Sequence, residues 1–179
     1  TQGTFKGHSI GNIILAAINE TSDTFEEAVQ KYCKIVGVSG KVLPVTSESL
    51  VLHAKLRSGK TVDGETNISR YRANDGIEKL FITPENAEAS ASVIDSILGA
   101  DIIVMGPGSL YTSVIPNLLV NGVTDAIKHS KAFKIYVCNI MTQPGETDGY
   151  DVQEHLTAIE AHSYKGIADA VIVNDSAIP

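Results

Sequence analysis

Basic residues are scarce in this 179-residue chain: 14 lysines and arginines stand against 21 aspartates and glutamates, a net charge of -7. Without a field to attract a polyanion, nucleic acid is excluded as a partner. Long hydrophobic runs are missing too. The most apolar stretches, such as Ile13 to Ile18, fall far short of the roughly 20 residues that span a bilayer, and the start has no basic-then-apolar signal pattern. A soluble cytoplasmic protein is predicted. Only two cysteines occur. Cys33 and Cys138 sit in apolar sequence with no second ligand at metal spacing, which predicts two buried reduced thiols. His53, His129, His155 and His162 are scattered without ligand spacing, and the sequence places them on exposed faces as structural residues. No Gly-x-Gly-x-x-Gly turn is followed by an acidic residue about twenty positions on, which argues against a nicotinamide-dependent dehydrogenase.

What is present is apolar residue in quantity, 43% of the chain, enough for one α/β domain spanning residues 1–179. Ile10, Ile13, Ile14, Ala17 and Ile18 recur at the spacing of one helical face and predict a helix over about 10–19. Thr24 with Glu27 three residues on opens a second, whose stripe is Phe25, Ala28, Val29, Tyr32, Cys33 and Val36 before Gly37 stops it. Over 41–83 the period changes to two. Leu50, Leu52, Ala54 and Leu56 alternate with Val51, His53, Lys55 and Arg57, Ser58-Gly59 turns into a strand at about 60–63, and 79–83 offers another, together an antiparallel excursion with one wet face. After Pro84 helices at about 85–98, 116–130 and 152–164 alternate with strands at about 101–105, 134–140 and 170–173. That rhythm predicts a Rossmann-like three-layer α/β fold with a mainly parallel sheet, whose ligands bind beyond the carboxyl ends of the strands.

Three loops lie at those ends: 106–113, 141–150, and Asn174 onward. Ile102, Ile103, Val104 and Met105 form an unbroken apolar run, as in a strand covered on both faces. Gly106, Pro107 and Gly108 follow, allowing a sharp turn and close ligand approach. Ser109, Thr112 and Ser113 add hydroxyl donors before a helix, which suits a phosphate; the alternative is a tight structural turn. In the second loop Pro144-Gly145 fits a type II turn. Asn139, Thr142, Gln143, Glu146, Thr147 and Asp148 crowd polar groups at a strand end, although ordinary loops are polar as well. Glu146 and Asp148 suit hydrogen bonds from a ribose or sugar, an oxygen-only metal shell, or a general base. Asp148 or Asp151 equally suits a helix cap. Ligand hydroxyl binding is favoured over catalysis, because no His, Cys or Lys of the loop completes a proton-transfer pair. Near the start, Gly7, His8, Ser9, Gly11 and Asn12 precede the first helix as a second anion or ribose site, with a capping role as the alternative.

The segments GHSIGNIILAAI, VSGKVLPVT, ADIIVMGPGSLYTSVIPNLLV and KIYVCNIMTQPGETDGYDVQEHL, in this order, resemble the YvcK subgroup of the CofD-like family, the gluconeogenesis factors of bacteria. The resemblance covers essentially the whole chain. It implies a cytoplasmic protein associated with cell shape and growth on gluconeogenic carbon sources, in a subgroup some of whose members bind UDP-sugars such as UDP-N-acetylglucosamine. It further implies a Rossmann-like nucleotide site, to which Gly7, His8, Gly11, Asn12, Gly106, Pro107, Gly108, Ser109, Tyr111, Thr112 and Ser113 belong. Asn139, Thr142, Gln143, Gly145, Glu146, Thr147 and Asp148 match the family's second loop. The Gly-Gly-Gly-Thr-Gly type loop with which family members begin is not in this sequence, so a fragment carrying part of the phosphate site is expected.

Two functions follow. One is a non-catalytic nucleotide-sugar sensor, supported by the subgroup match and by the lack of an assembled nucleophile and base. The other is a transferase of the family's 2-phospho-lactate branch, which uses a nucleoside diphosphate-linked donor and a divalent metal, and asks of the protein mostly positioning and charge neutralisation. The expected partners are a small nucleotide conjugate, a second copy of the chain, and a cell-wall-synthesis or regulatory protein. The excursion at 41–83 is a candidate contact surface, with a decorative hairpin as the alternative.

Overall fold

The computed structural model describes residues 9–71 and 75–176, and the chain divides after Ser47 into two compact units. In the first unit, α1 (Ile10–Asn19) and α2 (Phe25–Val36) form at the predicted bounds. Each is capped by a hydroxyl. Ser9 Oγ accepts from the Asn12 N–H at 3.2 Å, and Thr24 Oγ1 from the Glu27 N–H at 3.1 Å, satisfying donors that a helix start leaves orphaned. Gly37, at φ 70°, ends α2 in the left-handed conformation that favours glycine. α2 buries Ala28, Val29 and Cys33 of its predicted stripe, while Phe25 and Val36 stay exposed. α1 differs more. None of its residues is buried, and Ile10 is 77% exposed; the half-buried residues are Gly11, Ile13, Leu15 and Ile18, so Ile13 and Ile18 of the predicted face are partly covered.

The second unit is mixed α/β and contains two three-stranded sheets. The first is antiparallel, order β2-β1-β3, from β1 (Val51–Leu56), β2 (Thr61–Asp63) and β3 (Ile77–Thr83). Its register pairs Leu52 with Ile82 and Ala54 with Leu80, and Ala54 also with Val62. The predicted alternation holds: Ala54, Leu56, Val62, Leu80 and Ile82 are buried, and Lys55, Thr61, Asp63 and Lys79 face water. The sequence pattern did not show α3 (Glu65–Arg70) inside this excursion. It is under two turns long and buries only Ile68, too few apolar positions to display a helical period.

The second sheet is parallel, order β4-β5-β6, from β4 (Ile102–Met105), β5 (Phe133–Val137) and β6 (Ala170–Ile172), the sequential order of half a doubly wound sheet. Three predicted helices are shorter than expected, one of them only at its end, 152–161 instead of 152–164. α4 is Ala91–Leu98 rather than 85–98, because 87–89 pair with another segment: the Ala89 N–H donates to Asn121 O at 3.0 Å and the Asn121 N–H to Ala87 O at 2.9 Å. The same pairing interrupts the helix predicted at 116–130. α5 (Ile115–Leu118) and α6 (Val123–His129) stand there instead, preceded by a π-helical turn (Leu110–Val114) that begins within the predicted 106–113 loop. Gly122 at the break has φ 89°, and a Cβ there would lie 3.2 Å from Ile94 Cδ1. α7 (Val152–Ala161) carries a complete capping box between Asp151 and Glu154.

One face of the parallel sheet is packed, with Met105, Tyr136 and Cys138 buried. The other is apolar yet open. Ile102 (57% exposed), Val104 (54%), Phe133 (51%) and Ile172 (54%) lie on it, aligned by the pairs Ile102 with Phe133 and Val137 with Ile172. The double cover predicted for β4 is thus present on one face only. His162 corrects another expectation. It is half-buried rather than exposed, just after α7; its Nε2 accepts the Leu80 N–H at 2.8 Å, and its Nδ1 lies 2.7 Å from Ala158 O. The unpaired edge of β3 therefore has one backbone donor satisfied by a side chain.

Candidate functional site

The carboxyl ends of β4 and β5 bring the two predicted loops together. Gly106 makes the turn at φ 83°, and a Cβ there would stand 2.8 Å from the Val137 carbonyl oxygen, so only glycine fits beside β5. The Gly106-Pro107 peptide is cis. Asn139, just beyond β5, then holds the loop from both sides: its Oδ1 accepts from the Gly108 N–H at 3.1 Å, and its Nδ2 donates to Gly108 O at 2.8 Å. Ser109 Oγ donates to Glu146 Oε2, and Thr112 Oγ1 donates to Ser109 Oγ at 2.6 Å with Glu146 Oε1 at 3.5 Å.

Glu146 is 4% exposed, so these hydroxyls satisfy oxygens that the fold has taken out of water. The Pro144-Gly145 turn forms as predicted, with Gly145 at φ 87° and the Glu146 N–H donating to Gln143 O at 3.0 Å. Thr147 is buried, and its Oγ1 accepts from the Gln143 N–H at 2.8 Å. Asp148 accepts from the Gly145 N–H at 2.5 Å. The turn is thus closed on itself, and Asp151 rather than Asp148 caps α7. Tyr111, also buried, shares a 2.9 Å hydroxyl contact with Tyr150 across the loops. Burial, and then that contact, holds its phenol above the ordinary tyrosine range, so it stays neutral. Ser113 and Thr142 are exposed.

Of the residues near the start, Gly11 and Asn12 lie in α1. Asn12 gives its backbone N–H to Ser9, and a Cβ on Gly11 would meet the Tyr32 hydroxyl at 2.9 Å. Gly7 and His8 lie outside the described residues.

Among the cavities that open beside the joined loops, one of about 340 Å³ lies against Gly106, Pro107, Ser113 and Asn117, and two more lie along the second loop. One, of about 230 Å³, is lined by Arg57, Asp75, Gly145, Glu146, Asp148 and Tyr150. Its carboxylates already accept from the protein, Asp75 from Ser58, Glu146 from Ser109 and Asp148 from Gly145, and no group of three or more metal-binding side chains is assembled among the described residues. The other, of about 220 Å³, lies at the ends of β5 and β6 and includes Asn139, Ile140, Tyr150, Val152, His155 and Val173. Arg57, Asp75, Tyr150 and His155 were missing from the sequence-derived set. For His155 the signal existed, because it shares a helical face with Ala158 and Ile159, all three buried; the expectation of an exposed residue is corrected. Arg57 and Asp75 carry no local pattern, and only the fold puts them beside the second loop.

The model of the family 2-phospho-L-lactate transferase CofD matches residues 1–179. The chain belongs to this CofD family. It is 51% identical to a relative from Thermoanaerobacterium thermosulfurigenes over 100% of this chain and 56% of that protein. With the gluconeogenesis factor of Bacillus subtilis it shares 44% identity over 97% of this chain and 54% of the relative. A crystal structure of a UPF0052-family protein from Bacillus halodurans superposes with a TM-score of 0.93 at 43% identity, covering 99% of this chain and 57% of that one. The chain thus spans about half the length of the CofD-family relatives it matches. No described helix is long and apolar enough to cross a membrane.

Proposed function

We propose that this chain forms part of the binding site of a regulatory protein for gluconeogenic growth and cell shape, and that its ligand is a nucleotide sugar of the UDP-N-acetylglucosamine kind. The supporting observation is the joining of the Gly106–Ser113 loop to the Asn139–Asp148 loop at the ends of parallel strands, by Asn139 on Gly108 and Ser109 on Glu146. Ligands of α/β sheets bind at that position. The names of the relatives support the gluconeogenic role. Gly106 and Gly108 let the loop fold tightly against β5 and Asn139, and Glu146 orients the hydroxyls of Ser109 and Thr112 beside it. Partners expected with this role are a second copy of the chain and a cell-wall-synthesis or regulatory protein, in the cytoplasm.

A second reading, a transferase using a nucleoside diphosphate-linked donor, is favoured by the family description alone. It calls for a divalent metal, and no group of three or more metal-binding side chains is assembled among the described residues.

Calorimetric titration with UDP-N-acetylglucosamine, NAD, GDP and GTP separates the two. Micromolar binding of the UDP-sugar without turnover is expected, and metal-dependent consumption of a guanosine diphosphate-linked donor would establish the transferase instead. Replacing Ser109 and Thr112 together by alanine is expected to weaken binding by about 1–3 kcal/mol. Unchanged affinity in a folded double variant would assign this loop to structure.

A further inference from the structure

The water-facing side of the antiparallel sheet assembles three side chains, one from each strand. His53 of β1 is set by the register opposite Asp63 of β2 and Phe81 of β3, and residues two apart on a strand share its face, which adds Thr83. The ring stacks on Phe81, 4.7 Å between centroids at 12°. Both ring nitrogens are engaged. Nδ1 lies 2.7 Å from Asp63 Oδ1, and Nε2 lies 2.9 Å from Thr83 Oγ1. A lone structural histidine on an exposed face is what the sequence pattern suggests; the side chain is 16% exposed instead, held from both adjoining strands. In the neutral ring the carboxylate, which can only accept, fixes the proton on Nδ1 and leaves Nε2 to accept from the Thr83 hydroxyl. Hydroxyl, base and orienting carboxylate in that order activate an oxygen for acyl transfer, and the constellation is recognised by geometry rather than by sequence order. Thr83 is exposed, so its oxygen is open to a substrate. Its cross-strand partner Val51 is 45% exposed and Phe81 is half-buried, which puts apolar surface beside it.

We infer that Thr83, His53 and Asp63 form an acyl-transfer site for carboxylic esters of a small acid with an apolar or aromatic alcohol. The site uses none of the residues of the joined loops and stands whether or not a nucleotide sugar binds there. Thr83 Oγ1 attacks the ester carbonyl carbon while its proton passes to His53 Nε2. Asp63 stabilises the imidazolium. The ring returns that proton to the alcohol oxygen as the ester C–O bond breaks, and an acyl-threonine remains. Water, giving a proton to the same nitrogen, attacks the acyl-threonine; the proton goes back to Thr83 Oγ1 as the carboxylic acid leaves, and the hydroxyl is restored. The branched Cβ of threonine crowds the attacking oxygen, so an acetyl group is taken in preference to a larger one, and Val51 and Phe81 suit an aromatic alcohol. Thr83 and His53 touch the reacting atoms, and Asp63 is a positioning residue.

The test is incubation of the full-length protein with p-nitrophenyl acetate, read as nitrophenolate release and as the mass of the peptides after digestion. Acetylation of the peptide that contains Thr83 is expected. Its rate should fall at least about a hundredfold in Thr83→Val and in His53→Gln, the lower end of what a positioned base contributes. Asp63→Asn, which keeps the shape but no longer fixes the ring proton on Nδ1, should slow acetylation as well and abolish the far-downfield proton resonance of His53 Nδ1–H, while the melting temperature changes little. Acetyl groups found on lysines alone, or a rate indifferent to Thr83→Val and His53→Gln, overturn the site and leave the cluster as a cross-strand fastening of the sheet. If His53→Gln does not fold, Thr83→Val decides, because it keeps the side chain's shape and leaves the ring its partners Asp63 and Phe81; an unchanged acetylation rate in that variant overturns the proposal.

Discussion

The two sheets of the second unit use apolar residues differently. In the antiparallel sheet each strand alternates, so that Ala54, Leu56, Leu80 and Ile82 are buried while Lys55 and Lys79 meet water. The sheet is amphipathic and complete as it stands. In the parallel sheet both faces are apolar, yet only the face with Met105 and Tyr136 is buried, while Ile102, Val104, Phe133 and Ile172 remain more than half exposed. Alternation therefore reports which face water sees. An unbroken apolar run reports only that neither face is built for water, and whether the second is covered depends on what else is present.

The largest expected effect sharpens this contrast at the packed antiparallel face. Leu80 is fully buried, paired with Ala54 on the central strand. Leu80→Ala removes that packing and leaves a cavity, and a loss of about 2–5 kcal/mol is expected in urea denaturation. A loss under 1 kcal/mol would mean that the face is less tightly packed than its burial implies, and the contrast between the sheets would weaken.

Sequence legibility follows the same division. The amphipathic elements, α2 and the hairpin of β1 and β2, were readable because their period matches their burial. So was the placement of the Gly106 and Pro144-Gly145 loops at strand ends, since glycine and proline act locally. What escaped depended on distant partners. The segment 87–89 bonds Asn121 instead of extending α4, and no local pattern records that choice. Glu146 reads as a loop acid, but the fold buries it against Ser109 and Thr112 from a segment more than thirty residues away. The scatter of His155 and His162 without ligand spacing suggests exposed faces, whereas the helical period of α7 sets His155 with Ala158 and Ile159.

A pH dependence tests the edge of the antiparallel sheet. Burial, the main cause, lowers the His162 pKa below its ordinary 6.5. The neutral ring accepts the Leu80 N–H at Nε2, and protonation there replaces the acceptor with a donor. Because the folded pKa is depressed, the stabilisation is complete above the unfolded value near 6.5. It is lost as pH falls through that value to the folded one. Melting temperature should fall from pH 8 to pH 5, and the fall should be smaller in His162→Gln, whose side-chain oxygen accepts without titrating. Identical pH profiles for the two proteins would remove His162 from the account of this edge.

The smallest expected effect bears most directly on the comparison. Val104 is 54% exposed on the open face of the parallel sheet, and threonine has nearly its shape and suits a strand equally well. A surface substitution away from caps and special backbone usually changes stability by no more than about 0.5 kcal/mol, and that is the value expected for Val104→Thr in this chain. At a buried valine the added hydroxyl would lose its hydrogen bonds to water, at a cost of about 1–3 kcal/mol. Urea denaturation distinguishes these values readily. A cost in the higher range would mean that the face is covered in solution, and the two sheets would then differ only in what covers them.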